Sequence, residues 1–313
     1  MTTDRLLRGE KMMKVGLIGL GAMGVNMALN LKDNGHEILG YDISEDARIN
    51  ARKGNLDIYD SQIELVEALG DNKIILISTP AGEITDNVIE QLSEIVSEKD
   101  IIIDTGNSYY KDSLKNYEKL KEKSIHFLDC GTSGGMEGSR NGACLMIGGE
   151  EEVFNKVEEI FRDIAAQDGY LYVGKPGSGH YVKMVHNGIE YGMMQAIGEG
   201  FEILDASPYD LDHEKIANVW SHGSVIRSWL MELTRDLFAE DPRLDNIKGV
   251  IQSNGTGKWT LEEALDLKVP TPVISASVNA RFQSEINDSY SARVVAGQRN
   301  GFGGHAVVKN KRG

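Results

Sequence analysis

A glycine-rich turn near the start of the chain constrains the fold more than any other stretch. The apolar run 14–18 leads directly into Gly-Leu-Gly-Ala-Met-Gly at residues 19–24, and a helix-like segment, 25–34, follows. A second apolar run then ends at Asp42. Strand, G-x-G-x-x-G turn, helix, strand and acid in this order are typical of the first βαβ unit of a dinucleotide-binding sheet. The alternative is a glycine-rich turn in another α/β fold.

The three glycines of this motif have separate physical tasks. The first makes the tight turn, and the second lets the backbone approach a pyrophosphate at the N-terminus of the helix. The third allows the helix and the strand to pack closely. We therefore expect the turn to bind a dinucleotide through its backbone groups. The residues concerned are Gly19, Gly21, Ala22, Met23 and Gly24.

Asp42 predicts which dinucleotide is bound. A carboxylate at the end of the second strand accepts hydrogen bonds from the adenosine ribose and repels the 2′-phosphate of NADP. Ile43 and Ser44 follow it, so no arginine is adjacent in the sequence to hold that phosphate. The sequence therefore favours NAD over NADP as the cofactor.

The alternation of strand and helix patterns continues to about residue 175. Residues 73–79 and 100–105 form continuous apolar runs, which are typical of strands buried on both faces of a parallel sheet. The sequence thus predicts a doubly wound parallel sheet, the Rossmann architecture.

Polar loops follow three of the predicted strands, at the sheet edge where such folds bind ligands. One loop contains Ser78 and Thr79, and the next contains Asn107, and we expect these three residues to contact the cofactor. The third loop is the glycine-rich 131–135. Taken alone, each loop also fits ordinary turn chemistry.

A proline-free segment, 179–204, is predicted to be a long helix with an unusual polar side. Four polar side chains fall within an arc of about 100° on its helical wheel. They are those of Lys183, His186, Asn187 and Glu190. Apolar residues elsewhere on the wheel predict that the helix is buried on several sides. Burial shifts the pKa values of amines and carboxyls, which suits them to acid–base chemistry. A purely structural ion-pair network is the alternative.

The strand patterns end before this helix, and the remainder of the chain is predicted to be helical. Residues 211–238 are expected to form one helix, and another is expected to start at Pro272 and to reach about Gly297. The glycine-rich stretch from Gly297 to His305 is expected to be a tail rather than a helix.

These patterns define the fold class as α/β. They predict an N-terminal Rossmann domain at residues 13–176. An all-α C-terminal domain with a glycine-rich tail follows at residues 177–313. The residues before Met13 are expected to be an extension that precedes the fold.

Composition excludes several functions. The formal net charge of −15 argues against a protein that binds nucleic acid or an acidic membrane surface. No apolar run approaches the ~18 residues of a membrane span. The two cysteines, Cys130 and Cys144, form no disulfide framework, so we expect a cytoplasmic protein. We expect no metal, because the histidines and acids show no compact ligand spacing.

Several motifs resemble the 6-phosphogluconate dehydrogenase family, in the same order along nearly the whole chain from Met13. The most specific is Lys183-Met-Val-His-Asn-Gly-Ile-Glu-Tyr191. The others are Gly106-Asn107-Ser108, Ser133-Gly134-Gly135, Gly255-Thr-Gly-Lys258-Trp259-Thr260, Ala280-Arg281-Phe-Gln-Ser284 and the stretch from Gln298-Arg299 to His305. The chain length is similar to that of the short, often NAD-preferring form of the family.

The resemblance implies oxidative decarboxylation of 6-phospho-D-gluconate to ribulose 5-phosphate and CO2, with reduction of NAD. It implies that Lys183 accepts the proton of the C3 hydroxyl while hydride leaves C3, and that Glu190 later protonates C1 of the enediol. His186 and Asn187 complete the catalytic group. The residues expected to hold the sugar acid are Asn107, Ser133, Gly134, Gly135, His186 and Asn187.

The resemblance also implies a phosphate site. Its cations are Lys258, Arg281 and Arg299, with Tyr191 and His305 as hydrogen-bond donors, and arginine is well suited to phosphate. In the family, the segment with the last arginine and histidine comes from a neighbouring subunit. A homodimer or homotetramer with composite sites is therefore expected.

Two other functions stay open at this point. One is another β-hydroxyacid dehydrogenase, such as 3-hydroxyisobutyrate dehydrogenase, although Glu190 and the phosphate cations argue against a small hydroxy acid as substrate. The other is a non-catalytic NAD-binding protein, which the pairing of Lys183 with Glu190 disfavours.

Overall fold

The computed structural model describes residues 12–252 and 255–309. The chain divides into two compact units at the bond between Asn187 and Gly188, inside one long helix. A domain boundary between residues 176 and 177, at the start of that helix, stays a prediction. Most of the expected N-terminal extension, residues 1–11, lies outside the described residues.

The described part of the first unit contains one eight-stranded sheet. Its strands are β1 (Lys14–Ile18), β2 (Glu37–Tyr41), β3 (Asp57–Ile58), β4 (Ile74–Ile77), β5 (Ile101–Asp104), β6 (His126–Ser133), β7 (Ala143–Gly149) and β8 (Ala165–Gly174). Their order in the sheet is β3-β2-β1-β4-β5-β6-β7-β8, and β1 to β6 are parallel. An order of 3-2-1-4-5-6 is that of doubly wound dinucleotide-binding sheets, so the predicted Rossmann architecture is confirmed.

The sheet departs from the predicted parallel pattern at β7. This strand runs antiparallel to β6, and β8 then runs parallel to β7. Residues 134–142 connect β6 to β7. A parallel crossover needs about a dozen residues or more, so this short connection reverses the chain direction.

Helices cover both faces of the sheet. In the first unit they are α1 (Ala22–Asp33), α2 (Glu45–Lys53), α3 (Gln62–Leu69), α4 (Glu83–Ile95), α5 (Tyr110–Glu122), α6 (Gly135–Asn141) and α7 (Glu151–Ile164). Each face has its own hydrophobic core. On β4, Leu76 belongs to one core while Ile75 and Ile77 belong to the other, and all three are fully buried. Burial on both faces explains why the central strands are continuous apolar runs.

Helices make up the regular structure of the second unit. The long helix α8 (Ser178–Asp205) spans the boundary between the units. The others are α9 (His213–Ser221), α10 (Trp229–Glu240), α11 (Thr256–Asp266), α12 (Pro272–Ser284) and α13 (Tyr290–Gly303). The prediction of an all-α second domain is confirmed for the described residues.

The predicted ends of these helices were wrong in three places. Residues 211–238 form two helices, because Ser228 caps a new helix by accepting a hydrogen bond from the Met231 backbone amide. The helix from Pro272 ends at Ser284. The predicted tail is largely helical, because α13 continues to Gly303 and ends where Gly304 adopts a left-handed conformation. Glycine weakens a helix by only about 1 kcal/mol per residue relative to alanine, so a capped helix can contain several.

The expectation that the long helix is buried on several sides was also wrong for a single copy of the chain. Val182, Ile189 and Met193 on α8 are 38%, 54% and 42% exposed. They fall within an arc of about 40° on the helical wheel. This apolar stripe is therefore only partly covered within the described part of one chain.

The glycine turn yields a prediction about stability. Gly24 packs so closely on the Gly19 carbonyl that a methyl group there would overlap the oxygen, whereas a methyl group on Gly21 would meet no atom within 4 Å. We expect Gly24→Ala to lower Tm by at least about 5 °C, and the matched control Gly21→Ala to change Tm by less than about 2 °C. Differential scanning calorimetry of both variants measures this, and equal losses would contradict it.

Candidate active site

The glycine turn forms a cradle at the N-terminus of α1. Gly19 has a φ of +96° and lies directly against the backbone of Ser78, at the end of β4. The space beside Gly21 is open, and α1 starts at the next residue, Ala22. Backbone amides at a helix start attract anions. This arrangement fits the pyrophosphate of a dinucleotide, and it places Ser78 and Thr79 next to the cradle.

Asp42 lies beside this turn, as the cofactor hypothesis requires. Its Oδ2 accepts a hydrogen bond from the Leu20 backbone amide at 2.6 Å, and its Oδ1 accepts one from Ser44 at 2.8 Å. Each carboxylate oxygen can accept a further hydrogen bond, so the group remains able to bind ribose hydroxyls. Asp42 thus also holds the glycine turn in place, a task that its sequence position did not reveal.

Arg48 is a residue that our sequence reasoning missed. Its guanidinium donates hydrogen bonds to the carbonyl oxygens of Asp42 at 2.7 Å and of Ile43 at 3.2 Å. It also lies 3.3 Å from a carboxylate oxygen of Asp60. Helical spacing on α2 brings an arginine near Asp42, although none is adjacent to it in the sequence.

The start of α8 places Lys183 against β6. Gly131 packs so closely on this lysine that any side chain on the glycine would overlap Lys183 Cβ. Lys183 is 7% exposed, and its Nζ lies 3.4 Å from His186 Nδ1. The predicted catalytic lysine is therefore buried at the carboxyl edge of the sheet.

One loop, the end of β6 and helix α8 converge around this lysine. His186 Nε2 lies 3.3 Å from the Ser133 hydroxyl, and its Nδ1 lies 3.1 Å from Asn187 Oδ1. The Asn187 side-chain amide donates to Asn107 Oδ1 at 3.2 Å. We call this group the polar cluster: Asn107, Ser133, Lys183, His186 and Asn187. Its members come from positions separated by up to 80 residues, and all were predicted site residues.

The remaining predicted residues of the third loop have a distinctive backbone. Gly134 and Gly135 have φ angles of +118° and +59°, a region that disfavours other residues, and α6 starts at Gly135. Their backbone thus turns sharply directly after Ser133. Glu190 lies on α8, three residues after Asn187, and is half-buried. It belongs to the second compact unit.

The second unit brings two of the predicted phosphate-site residues together. The guanidinium carbon of Arg281 lies 3.5 Å from the centre of the Tyr191 ring, a cation–π contact. Gly257 packs against the same ring, since a methyl group there would lie 2.5 Å from it. The Tyr191 hydroxyl lies 3.4 Å from that of Thr256. This tyrosine therefore fixes the position of Arg281.

The other predicted phosphate-site residues are exposed. Lys258 lies next to Gly257 and forms an ion pair of 3.4 Å with Glu262. Arg299 lies on α13 and His305 just after it, and the His305 backbone amide points to the Arg299 carbonyl at 3.5 Å. Arg299 and His305 are thus neighbours at the end of the last helix.

Two further searches bear on function. Within residues 12–252 and 255–309, no group of three or more histidine, cysteine or acidic side chains is placed to hold a metal ion. In the same residues, no helix has the length and apolar character needed to cross a lipid bilayer.

Comparison with known proteins relates this geometry to a family. The NAD binding domain of 6-phosphogluconate dehydrogenase matches residues 14–174, and the C-terminal domain of that enzyme matches residues 179–310. The chain belongs to the 6-phosphogluconate dehydrogenase family. The resemblance drawn from the motifs is thereby confirmed.

Two relatives match over almost their full length. The putative 6-phosphogluconate dehydrogenase YqeC of Bacillus subtilis is 51% identical, with 95% of this chain and 100% of the relative covered. The NAD(+)-dependent, decarboxylating 6-phosphogluconate dehydrogenase of Haloferax volcanii is 41% identical, with 95% of this chain and 99% of the relative covered.

Longer relatives and solved structures extend the comparison. This chain spans 62% of an NADP(+)-dependent, decarboxylating 6-phosphogluconate dehydrogenase of Bacillus subtilis, at 40% identity. The 6-phosphogluconate dehydrogenase of Plasmodium falciparum, solved with NADP+ and with 6-phosphogluconate, matches with a TM-score of 0.79 at 32% identity, over 95% of this chain and 66% of that one. A 3-hydroxyisobutyrate dehydrogenase of Mycobacterium tuberculosis shares the fold, with a TM-score of 0.71 at 20% identity.

The open space beside Gly21 yields a prediction about cofactor binding. A methyl group there would meet no protein atom within 4 Å and would project into the space where we expect the pyrophosphate. We expect Gly21→Ala to weaken NAD binding by at least about tenfold, because the backbone can no longer approach the phosphates. Titration calorimetry with NAD measures this directly. Unchanged affinity in the folded variant would place the pyrophosphate elsewhere.

Proposed function

We propose that this protein oxidises and decarboxylates 6-phospho-D-gluconate to D-ribulose 5-phosphate and CO2, with NAD as the electron acceptor. The observation that carries the proposal is the convergence of the polar cluster at the carboxyl edge of a dinucleotide-binding sheet. Membership of the family supports it, as does the 41% identity to an NAD(+)-dependent, decarboxylating relative.

Lys183 is the proposed general base. NAD, when bound in the cradle, supplies the hydride acceptor. Lys183 is buried within the polar cluster, and its amine, when neutral, can accept the C3 hydroxyl proton. The protonated amine then donates a hydrogen bond to the new C3 carbonyl, which draws electrons from the breaking C1–C2 bond as CO2 leaves. Ser133, Asn107 and Asn187 would orient the substrate hydroxyls and carboxylate, since fixed orientation lowers the barrier by several kcal/mol.

Glu190 is the proposed general acid. Loss of CO2 leaves an enediol that must gain a proton at the carbon that becomes C1 of the product. Glu190 follows Lys183 by seven residues on the same helix, which separates their Cα atoms by about 10 Å along its axis. Two long side chains at this spacing can serve opposite ends of a short substrate.

The substrate phosphate is proposed to bind cations of the second unit. The ring of Tyr191 supports one face of the Arg281 guanidinium, which leaves N–H groups at its edge for phosphate oxygens. Lys258, Arg299 and His305 are the other proposed ligands. A small hydroxy acid such as 3-hydroxyisobutyrate needs no such cations, and a protein that only bound NAD would need no polar cluster, so neither alternative is favoured.

NAD is the preferred cofactor in this proposal. The Asp42 carboxylate beside the glycine turn would repel the 2′-phosphate of NADP. Arg48 is occupied by two carbonyl oxygens and by Asp60, and is therefore not poised to neutralise that phosphate. NADP would bind only if this arginine left its partners.

A homodimer or a homotetramer is the proposed assembly. The apolar stripe of Val182, Ile189 and Met193 on α8 is exposed in one copy, and exposed apolar stripes of this kind are typical of subunit interfaces. The second unit also contains an apolar cavity of about 510 Å³, whose lining includes the partly exposed Leu233 and Leu237. A second copy of the chain is the proposed cover.

The protein is proposed to work in the cytoplasm, with no nucleic acid or membrane partner. Both cysteines are free thiols, as a reducing compartment requires, and Cys144 is exposed. The net charge of −15 opposes binding to nucleic acids and acidic membranes.

The activity is tested by absorbance at 340 nm with 6-phosphogluconate and either NAD or NADP, while CO2 release is measured in parallel. We expect turnover with NAD to exceed that with NADP, with one CO2 for each NADH. We also expect Lys183→Met and Glu190→Gln each to lower kcat by about 10²- to 10⁴-fold.

Glu199→Gln is the matched control, because this exposed glutamate lies on the same helix. It should leave kcat unchanged. Turnover of 3-hydroxyisobutyrate but not of 6-phosphogluconate would refute the proposed function. A Glu190→Gln variant as active as the Glu199→Gln control would remove Glu190 from the mechanism.

Mixed subunits test whether the Arg299 segment serves a neighbouring copy. Lys183→Met and Arg299→Ala subunits should each be almost inactive alone. If the segment crosses to the neighbour, unfolding and refolding an equal mixture should restore about one quarter of wild-type activity, because half of the dimers then hold one intact site out of two. No restored activity, with mixed dimers verified by mass, would show that each segment serves its own chain.

A further inference from the structure

Asp129 is a buried carboxylate that the proposed chemistry does not use. It lies on β6, is fully buried, and accepts two backbone hydrogen bonds. Its Oδ1 accepts from Gly177 at 2.7 Å and its Oδ2 from His180 at 2.8 Å. These amides belong to the start of α8, where backbone N–H groups have no partner within the helix. Asp129 thus caps this helix from a strand rather than from within its own sequence.

The cap requires a carboxyl group and not an amide. Each oxygen faces one N–H donor, so both oxygens must be acceptors. An asparagine would turn its NH2 donor towards one of the two amides, whereas a carboxyl group can accept through both oxygens. The positive end of the helix dipole favours the negative charge as well.

Two glycines allow the start of α8 to pack directly on the strands around the cap. A methyl group on Gly148 of β7 would lie 2.6 Å from the Gly179 amide, 2.7 Å from Asp129 Oδ1 and 2.8 Å from Ser178 Oγ. A side chain on Gly179 would overlap the Asp129 carbonyl oxygen. The first turn of α8 therefore touches the backbone of β6 and β7 directly.

The capped turn determines where Lys183 lies. Lys183 follows His180 by three residues, so it lies on the same side of the helix, one turn further on. Its Cβ contacts Gly131, two residues beyond Asp129 on β6. His180 is held independently, because its Nδ1 lies 2.7 Å from the buried Ser113 hydroxyl on α5. A shift of the first turn would move the lysine relative to β6.

We propose that Asp129 is a positioning residue: its carboxylate fixes the first turn of α8 and thereby sets the position of Lys183 for proton transfer. The inference builds on the role proposed for Lys183. It adds a residue that acts through the helix backbone and contacts neither substrate nor cofactor.

The surroundings of Asp129 change the pKa of its carboxyl group. Burial, reinforced by Asp104 on the neighbouring strand β5, raises the pKa of Asp129, while His180 lowers it. In β7, the contacting residue Gly148 has no charge. Because the folded-state pKa is raised, the contribution of Asp129 to stability is greatest at low pH and is lost as pH rises through that pKa.

The test compares Asp129→Asn with Asp100→Asn. Asp100 is also buried, at 2% exposure, and its two oxygens accept backbone amides of Lys73 and Ser97 at 2.8 Å each. It precedes β5, at the sheet edge opposite to the polar cluster. Asp100 also pairs with the Lys73 ammonium at 3.1 Å, so its variant loses the two backbone contacts and an ion pair, and only the Asp129 variant touches α8.

We expect Asp129→Asn to lower kcat at least about tenfold with the KM for NAD within about twofold of wild type, because misplacement affects the chemical step rather than binding. Asp100→Asn should keep the wild-type kcat. Hydrogen exchange should become faster at the start of α8 only in Asp129→Asn. The difference in Tm between wild type and Asp129→Asn should be largest at low pH and should become smaller as pH rises.

Wild-type kcat in Asp129→Asn, or equal losses in both variants, would overturn the inference. Should Asp129→Asn fail to fold, Gly148→Ala is the second variant, because its methyl group would displace the same turn of α8 while Asp129 is retained. It should give the same loss of kcat with KM preserved. A Gly148→Ala enzyme with wild-type kcat would equally overturn it. Lack of turnover by the wild-type protein itself would instead refute the proposed function, and the exchange measurement would still report on the helix start.

Discussion

The contact on which the candidate site depends is the direct packing of one helix start on two strands. Gly131, Gly148 and Gly179 leave no side chain between α8 and the backbone of β6 and β7. Close packing of this kind has no room for adjustment, since protein interiors are packed as densely as organic crystals. The lysine that follows is therefore held at the sheet edge by backbone geometry. The hydrogen bonds of the polar cluster then act on a side chain whose position is already fixed.

The charge distribution explains how an acidic protein can bind an anionic sugar acid. The net charge of −15 gives no long-range attraction for such a substrate, so cations must be held locally. Arg281 of the second unit is one proposed cation: its guanidinium stacks on Tyr191, and the absence of a side chain at Gly257 leaves room for the ring. Stacking on an aromatic face also limits the rotamers of an arginine, so less conformational entropy is lost when a phosphate binds. Local preorganisation of this kind compensates for an unfavourable overall charge.

The parts of the site that depend on local patterns were predictable from the sequence. The G-x-G-x-x-G turn, the apolar strands and the polar side of α8 each follow from spacing within one segment, whereas the residues of the polar cluster were grouped through the family resemblance. Contacts between distant segments were not predictable in this way. No sequence pattern distinguishes Asp129 from other strand residues. Arg48 follows Asp42 by six residues, so the sequence does not show that they are in contact. The helix through Gly297 was missed because glycine content was given more weight than the cap at Ser289.

One continuous helix links the two proposed proton-transfer groups. Lys183 belongs to the first compact unit and Glu190 to the second, yet both lie on α8. A helix advances about 1.5 Å per residue, so the distance between these two positions along the axis is set by hydrogen bonds within the helix. Removal of the C3 hydroxyl proton and delivery of a proton to C1 require a fixed separation between base and acid. If Lys183 is the base and Glu190 the acid, as proposed, a seven-residue spacing on one helix is a local feature, which is why a short sequence motif suggests the chemistry.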